Sequence, residues 1–319
     1  MSTTTEAPSE QASPIKAVPV RHPGRWVATA IVLLLLAMFV HMLVTNGAFQ
    51  WRFMRENALS SPVLAGARTS LVLTILSMII GISLGIVVAV MRLSPNPILS
   101  TTAWLYTWFF RAIPRVVLLV LFGNLGILYT RFEFGLPFDR QLGNLLGIDI
   151  NGRLFGVDSR TLLTGFMAGL LGLALSEAAY MAEIVRGGIS SIDPGQHEAA
   201  QALGMSRPLT MRRVILPQAM RVIVPPTGNE TIAMLKDTSL VAFVPVTNEL
   251  FFQLQAVGNR TFRPFPMLVA ACLWYLAMTS VLYVGQYFVE RRYGRGFARA
   301  EQATMRARWL SFGNAGSGV

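Results

Sequence analysis

The chain has 319 residues, of which 53% are hydrophobic and 13% charged, against roughly 25% charged residues in an ordinary soluble domain. Its formal net charge of +11 is spread between long apolar runs, which argues against nucleic-acid binding and is typical of the loops of a membrane protein. The single cysteine, Cys272, excludes an intrachain disulfide, and three scattered histidines at no ligand spacing argue against a metal site.

The N-terminal segment is predicted to be a tail followed by a transmembrane helix. Residues 1–20 are rich in Ser, Thr, Pro, Ala and Glu, which predicts a disordered tail. The apolar run from Trp26 to Val44 could be a signal peptide, but it exceeds the roughly 7–15 apolar residues of one and lacks a good cleavage site. We therefore predict a cytoplasmic tail over 1–25 and a retained helix with its outer loop over 26–63.

Five further segments are long and apolar enough to cross a ~30 Å hydrocarbon layer. One of them contains Pro225, Pro226, Lys236 and Asp237, so it is predicted to be kinked, broken or lined by protein. The sequence therefore predicts an all-α membrane protein of about six transmembrane helices. The five segments are 64–91, 103–129, 161–183, 222–250 and 266–289.

The distribution of basic residues predicts the orientation of these helices. If the N-terminus is cytoplasmic, the loops on that side hold 15 Lys and Arg residues and the opposite loops hold 8. The positive-inside rule then places both termini in the cytoplasm. An even number of spans agrees with this orientation.

The inner connection over 189–221 contains a predicted helix-turn-helix outside the bilayer. Asp193 is an N-cap, followed by proline at the first helical position. Gly204 ends this helix, at a position where a side chain is expected to meet both steric and backbone cost. A second short helix is predicted from Ser206 to Leu216, where Pro217 ends it.

The first of these short helices carries a small apolar face. Ala199, Ala200 and Leu203 form it, with Glu198 beside it. Small residues on an exposed short helix allow close docking into a groove of another protein. A helix resting on lipid headgroups would carry the same pattern, so the residues alone leave both interpretations open.

This connection resembles the E-A-A-x-x-x-G-x9-I-x-L-P loop of bacterial ABC importer permeases. Val214 stands where the family has isoleucine, which is a conservative replacement. The other motif positions are matched by Glu198, Ala199, Ala200, Gly204, Leu216 and Pro217.

The resemblance covers most of 64–290 and extends to the polar amino acid branch of these permeases, the histidine and glutamine type. Matching segments occur in order at 178–188, which reads A-A-Y-M-A-E-I-V-R-G-G, at 194–196, and at 235–240, which reads L-K-D-T-S-L. The segment at 106–114 resembles the family's F-R-G-T-P segment, with two replacements. Arg115 follows it where an apolar residue is usual.

The resemblance implies a five-helix type I importer permease core over 64–290, with an extra N-terminal helix and a cytoplasmic tail over 291–319. It implies import of amino acids or similar small polar solutes across a bacterial inner membrane. The implied partners are a cytoplasmic ATPase dimer, a second permease copy or paralogue, an extracytoplasmic solute-binding protein and membrane lipid. The implied ATPase-coupling residues are Glu198, Ala199, Ala200, Leu203, Gly204, Val214, Leu216 and Pro217.

The chain has no nucleotide-binding loop of its own. A Walker A loop needs a Gly-Lys-Ser or Gly-Lys-Thr sequence, and the only lysines, Lys16 and Lys236, follow Ile and Leu. We therefore expect no catalytic residue and no bound cofactor here, with ATP and magnesium on the partner ATPase. An ion-coupled secondary transporter and a non-transporting membrane scaffold remain the alternative functions.

Polar and charged residues within the predicted helices are candidates for the translocation path or gate, because charges at membrane depth are costly. A structural ion pair or a headgroup contact is the alternative for each. Arg111, roughly 12 Å into its helix, could snorkel or attract a solute carboxylate. The candidates are Arg111, Pro114, Glu177, Tyr180, Glu183, Asn229, Lys236, Asp237 and Ser239.

The stretch from Arg131 to Arg160 holds five glycines and lies outside the resemblance. It could meet a solute-binding protein or cap the ends of the helices.

Overall fold

The computed structural model describes residues 23–129, 131–135, 139–147, 153–158, 164–244 and 246–293. The chain divides into two units, residues 1–49 and 50–319, and each is described by itself. In the first unit, helix α1 (Pro23–Thr45) is followed by a short 3-10 turn. α1 is apolar around its whole circumference, as is typical of a membrane span, and it contains the helix predicted over 26–44. The predicted tail before it lies outside the described residues.

The second unit is a helical bundle with a small two-stranded sheet. Its helical path includes a π-helical turn over Met211–Ile215 and a 3-10 segment over Thr238–Phe243. The elements are α2 (Trp51–Ala58), α3 (Ser61–Arg92), α4 (Pro97–Ala112), α5 (Arg115–Leu128), β1 (Arg131–Gly135), α6 (Asp139–Leu146), β2 (Arg153–Asp158), α7 (Gly165–Ser190), α8 (Pro194–Ala202), α9 (Arg207–Thr210), α10 (Leu216–Asp237), α11 (Leu250–Arg260) and α12 (Pro264–Tyr293).

Among the described residues, four helices are long and apolar enough to cross a membrane: α1, α3, α7 and α12. The pair α4 and α5 adds a fifth span if it counts as one, but the two helices are bent by 103°. The continuous helix predicted over 103–129 is therefore wrong. Pro114 explains the break, because its ring lacks an N–H and restricts the preceding Ile113 to an extended conformation.

The segment predicted over 222–250 is α10 with the 3-10 turn after it. It is not among the helices that meet the length and apolarity criterion. Pro225 and Pro226 do not break α10, and the amide of Gln286 on α12 donates a hydrogen bond to the carbonyl of Pro225 at 2.9 Å. The neighbouring helix thus helps to satisfy the backbone around the prolines, as happens in membrane helices.

Helices α3 and α7 form the centre of the bundle and approach closely through small residues. A Cβ atom at Gly81 would lie 2.8 Å from Cβ of Glu177, and one at Gly85 would lie 2.6 Å from Cβ of Met181. Glycine is therefore required at both positions for this helix separation. Small residues at helix interfaces are characteristic of membrane proteins, where close backbone approach drives association.

A buried carboxylate fixes the end of the bundle opposite α8. Glu249 is fully buried and caps α11 by accepting hydrogen bonds from the amides of Phe251 and Phe252. Its other oxygen accepts from the hydroxyls of Ser70 on α3, at 2.8 Å, and Tyr275 on α12, at 2.6 Å. One side chain therefore joins three helices by accepting hydrogen bonds from two backbone amides and two hydroxyls.

The stretch over 131–160 contains structure that the sequence did not predict. β1 and β2 pair in antiparallel fashion, with Phe132 opposite Val157, and α6 lies between them in the chain. The described parts of this stretch, 131–135, 139–147 and 153–158, therefore contain a pair of antiparallel strands and a short helix between α5 and α7.

Candidate functional site

The structure confirms the predicted N-cap of α8 and the predicted glycine turn that ends this helix. The side chain of Asp193 accepts a hydrogen bond from the amide of Gly195 at 2.7 Å, and Pro194 opens the helix. At the other end, Met205 N bonds to Ala200 O and Gly204 N to Gln201 O. This pair of bonds is the Schellman motif, which requires a left-handed residue, and Gly204 supplies it with φ of +71°.

The prediction of a steric cost at Gly204 is wrong, because a Cβ atom there would meet nothing within 4 Å. Only the backbone cost is present. The prediction that Pro217 ends the second short helix is also wrong. The chain continues through α9, the π-helical turn and α10 as one helical path, and Pro217 lies in the first turn of α10, where a missing N–H is tolerated.

The residues of the apolar face predicted on α8 differ in their exposure to solvent. Ala200 is buried, whereas Glu198, Ala199 and Leu203 are exposed. Leu203 is 81% exposed, although it is a large apolar side chain in the loop. The exposed part of α8 therefore presents one leucine beside one carboxylate.

The remaining loop residues attach α8 to the start of α10. Val214 is half-buried and Leu216 and Pro217 are exposed. The amide of Gln218 donates to the carbonyl of Val214 at 2.9 Å and to the side-chain oxygen of Gln196 at 3.3 Å. A side-chain bridge therefore joins α8 to α10 in addition to the backbone.

An arginine-centred charge cluster lies where α5, α7 and α10 meet. Arg115 is the first residue of α5 and only 12% of its side chain is exposed. Its guanidinium donates to Asp237 at 2.6 Å and to Glu177 at 2.9 Å, and it lies 3.7 Å from a carboxylate oxygen of Glu230. We refer to Arg115, Glu177, Glu230 and Asp237 as the charge cluster.

The charge cluster holds more acidic than basic groups. Three carboxylates share one guanidinium, and Glu177, at the middle of α7 rather than near its inner end, is fully buried. Its second oxygen, Oε1, has no hydrogen-bond partner among the described residues. Buried carboxylates are costly unless they are paired. Arg111 also attracts Glu230, so three carboxylates face two guanidinium groups.

Tyr180 lies beside the charge cluster on α7. The guanidinium of Arg115 is 4.7 Å from its ring centroid and that of Arg111 is 5.5 Å away, both within the range of cation–π attraction. Arg111 is exposed in the last turn of α4, so it lies at a helix end rather than eight residues into a long helix. Pro114 forms the bend that brings Arg115 to this point.

The other predicted path residues lie apart from the charge cluster. Glu183 pairs with Arg186 at 2.7 Å and approaches Arg92 at 4.0 Å. Asn229 and Lys236 are exposed, and Ser239 donates to the carbonyl of Lys236 at 2.7 Å. Within the described part of the chain, Asp237 pairs with Arg115 rather than with its neighbour Lys236.

Sequence reasoning missed Arg115 and Glu230 as site residues, although signals for both were present. Arg115 is a charged residue that directly follows a proline within an apolar run. A charge in that position indicates a helix start whose first residue pairs with a buried group of opposite charge. Glu230 and Asp237 are seven residues apart, so they lie on one face of a helix. Glu177 and Tyr180, three residues apart, share a face of α7 in the same way.

Comparison with known proteins decides the family. Residues 81–295 match the family described as binding-protein-dependent transport system inner membrane component. The chain belongs to this family. As a member it is the membrane component of an importer, and ATP hydrolysis is carried out by a separate subunit.

Two curated relatives of this importer component are amino acid transport permeases or probable ones. It is 45% identical over 306 residues to the arginine transport system permease protein ArgU of Corynebacterium glutamicum, which covers 96% of this chain and 90% of that protein. It is 34% identical to the probable amino-acid ABC transporter permease protein YckA of Bacillus subtilis, covering 77% and 97%.

Solved structures agree with the fold of an importer permease. A chain from a crystal structure of an amino acid ABC transporter with histidines matches with a TM-score of 0.58 and 31% identity, covering 72% of this chain and 94% of that chain. A chain of the MetNI methionine ABC transporter matches with a TM-score of 0.53 at 19% identity, covering 74% and 99%. This second likeness concerns the fold alone.

Proposed function

We propose that this importer component carries basic amino acids, with arginine as the preferred solute. The proposal rests on the 45% identity to an arginine transport permease over 96% of the chain. The acidic excess of the charge cluster supports it, because a solute guanidinium offers carboxylates the same planar donors that Arg115 does. Tyr180 adds a ring face suited to a cation.

In this proposal the charge cluster is part of the translocation path. Arg115 holds the carboxylates together while no solute is present, and a cationic solute competes for them as it passes. Glu177 Oε1, buried and without a hydrogen-bond partner among the described residues, is the acceptor available to that solute. The same acidic excess disfavours an anionic solute at this depth.

The partners follow from the architecture of the family. An extracytoplasmic binding protein delivers the solute, a second permease chain completes the path, and a cytoplasmic ATPase dimer binds ATP and magnesium. We assign the exposed face of α8, with Glu198, Ala199 and Leu203, to contact with the ATPase. An exposed leucine outside the apolar helices supports this assignment, since such a side chain gains by burial in a protein groove.

The solute assignment is tested by uptake in cells that express the whole importer. Radiolabelled arginine, glutamine and glutamate are compared with and without this chain, at equal expression of the partners. We expect arginine uptake to depend on the chain most strongly. We also expect unlabelled lysine to compete with arginine uptake better than unlabelled glutamate does. Dependence of glutamate or glutamine uptake alone would refute the basic preference while leaving the importer function in place.

A further inference from the structure

A large apolar crevice lies between α3, α7, α10 and α12 at the α8 end of the second unit. Its volume is about 1120 Å³, which exceeds the roughly 300–1,000 Å³ of small-molecule pockets. The lining comes from the second halves of α3, α7 and α12, from α10 as far as Ile232, and from the turns at 93–95 and at Met211. Ile86, Val90, Ile223, Leu282 and Val289 are typical lining residues.

The few polar groups in the crevice are already bonded to protein. Thr227 and Thr231 donate to backbone carbonyls of α10 at 2.8 and 2.9 Å, and the amide of Gln286 bonds to Pro225 and Glu290. No charged side chain lines the crevice among the described residues. An amino acid would leave both of its charges unpaired here, so the crevice favours an apolar occupant.

The mouth of the crevice carries two arginines, Arg212 and Arg292, and one carboxylate, Glu290, which accepts a hydrogen bond from the lining residue Gln286 at 2.8 Å. On α12 the lining residues Gly285 and Val289 are followed on the same helical face by Arg292, seven and three residues later. On the opposite wall Arg212 directly follows the lining residue Met211. Both arginines are exposed, and within the described part of the chain neither has an ion pair.

We propose that this crevice binds an anionic phospholipid, with an acyl chain between α3 and α12 and the phosphate at Arg292. The apolar lining matches the chain, Arg292 matches the phosphate, and the exposed Arg212 adds positive charge on the facing wall. A second copy of this protein is a poorer occupant, because it would bring its own exposed arginines to a mouth that is already positive. Lipid binding at this crevice depends neither on the identity of the solute nor on the membrane leaflet.

The position of two adjacent arginines on α12 provides a matched test. Arg292 lies on the lining side of the helix, whereas Arg291 lies on the opposite side, since neighbouring helical residues are about 100° apart. For the acyl-chain site, Gly285→Leu fills the crevice, because Gly285 lines it and a Cβ atom there meets nothing within 4 Å. Gly187→Leu is its control, at an exposed position with equal space that does not line the crevice.

The full chain is purified in detergent, incubated with equal amounts of phosphatidylglycerol and phosphatidylcholine, washed, and analysed by native mass spectrometry. We expect retention of phosphatidylglycerol over phosphatidylcholine, reduced about fivefold by Arg292→Gln, as for the loss of one basic residue at an anionic lipid. Gly285→Leu is expected to lower retention similarly, while Arg291→Gln and Gly187→Leu leave it unchanged.

Equal retention of the two lipids, or equal effects of the two arginine variants, would overturn the proposal. So would a shift from dimer to monomer on Gly285→Leu with phosphatidylglycerol retention unchanged, since that result places a second copy in the crevice. A folding failure of Gly285→Leu is recognised by its elution profile, and the arginine pair then decides the question alone.

Discussion

At the scale of single residues, Arg115 joins three helices through charge. It pairs with Glu177 on α7 and Asp237 on α10 while itself beginning α5. Removing one partner of a buried charge pair leaves the other uncompensated, which costs about 3–5 kcal/mol. The same contacts place Arg115 where a cationic solute would compete with it, so stability and transport are both expected to depend on it.

We expect Arg115→Gln to lower the free energy of unfolding by about 3 kcal/mol, because three carboxylates lose their shared cation. Thermal unfolding of the purified chain in detergent measures this as a fall in melting temperature. Arg111→Gln is the control, since Arg111 is exposed and, although it contacts the ring of Tyr180 and attracts Glu230, the salt bridge of Glu230 is with Arg115. The double variant Arg115→Gln with Glu177→Gln is expected to recover part of the lost stability, because it also removes a carboxylate left unpaired. Equal melting temperatures of all the variants would contradict the stabilising role of Arg115.

Gly204 tests the geometry of the α8 loop at a single position. Its φ of +71° costs a β-branched residue roughly 1–2 kcal/mol, whereas Asn tolerates this region. We expect Gly204→Val to lower ATP hydrolysis stimulated by the binding protein about fivefold to tenfold in nanodiscs, with Gly204→Asn close to wild type. If the two variants behave alike, α8 placement does not control coupling.

At the scale of helices, the α3–α7 interface depends on glycine. A Cβ atom at Gly85 would lie 2.6 Å from Cβ of Met181, and a Cβ atom cannot move without its backbone. Gly85→Ala is therefore expected to destabilise the chain by about 1–3 kcal/mol through overpacking. Gly285→Ala, with nothing within 4 Å of the added atom, is the control. Thermal unfolding of both variants compares them, and an unchanged Gly85→Ala would rule out this close packing.

The sequence predicted a helix well where nearby residues determine its position and ends. Long apolar runs predicted α1, α3, α7 and α12, and the Asp193 cap and Gly204 predicted both ends of α8 to within two residues. The bend at Pro114 was missed because proline is tolerated within membrane helices. The continuation through Pro217 was missed because a proline marks a helix end and a helix start equally well.

The charge cluster shows the limit of sequence reasoning for the site. Glu177, Tyr180 and Asp237 were identified from their depth in apolar segments, but nothing in the spacing along the chain joins them to Arg115. Their contacts span 62 and 122 residues in sequence and depend on how α5, α7 and α10 pack. Such partners follow from tertiary structure, whereas the ends of a short helix follow from local chemistry.

At the scale of the whole molecule, the asymmetry of basic residues predicts which end faces the cytoplasm. Cys272 is first replaced by Ala, and single cysteines are then introduced at Gln201 on α8 and at Phe262 in the turn between α11 and α12, both exposed. We expect a membrane-impermeant maleimide to label Phe262→Cys in intact cells and Gln201→Cys only in inverted vesicles. The reverse pattern would overturn the orientation.

Transport by this chain is expected to depend on a separate ATPase, and reconstitution measures that dependence. The importer is purified through a tag on this chain, reconstituted in liposomes with its binding protein and radiolabelled arginine, and compared with this chain reconstituted alone under a proton or sodium gradient. We predict arginine accumulation only when the ATPase is present and supplied with ATP, and none from the gradient. Gradient-driven accumulation by this chain alone would contradict the account.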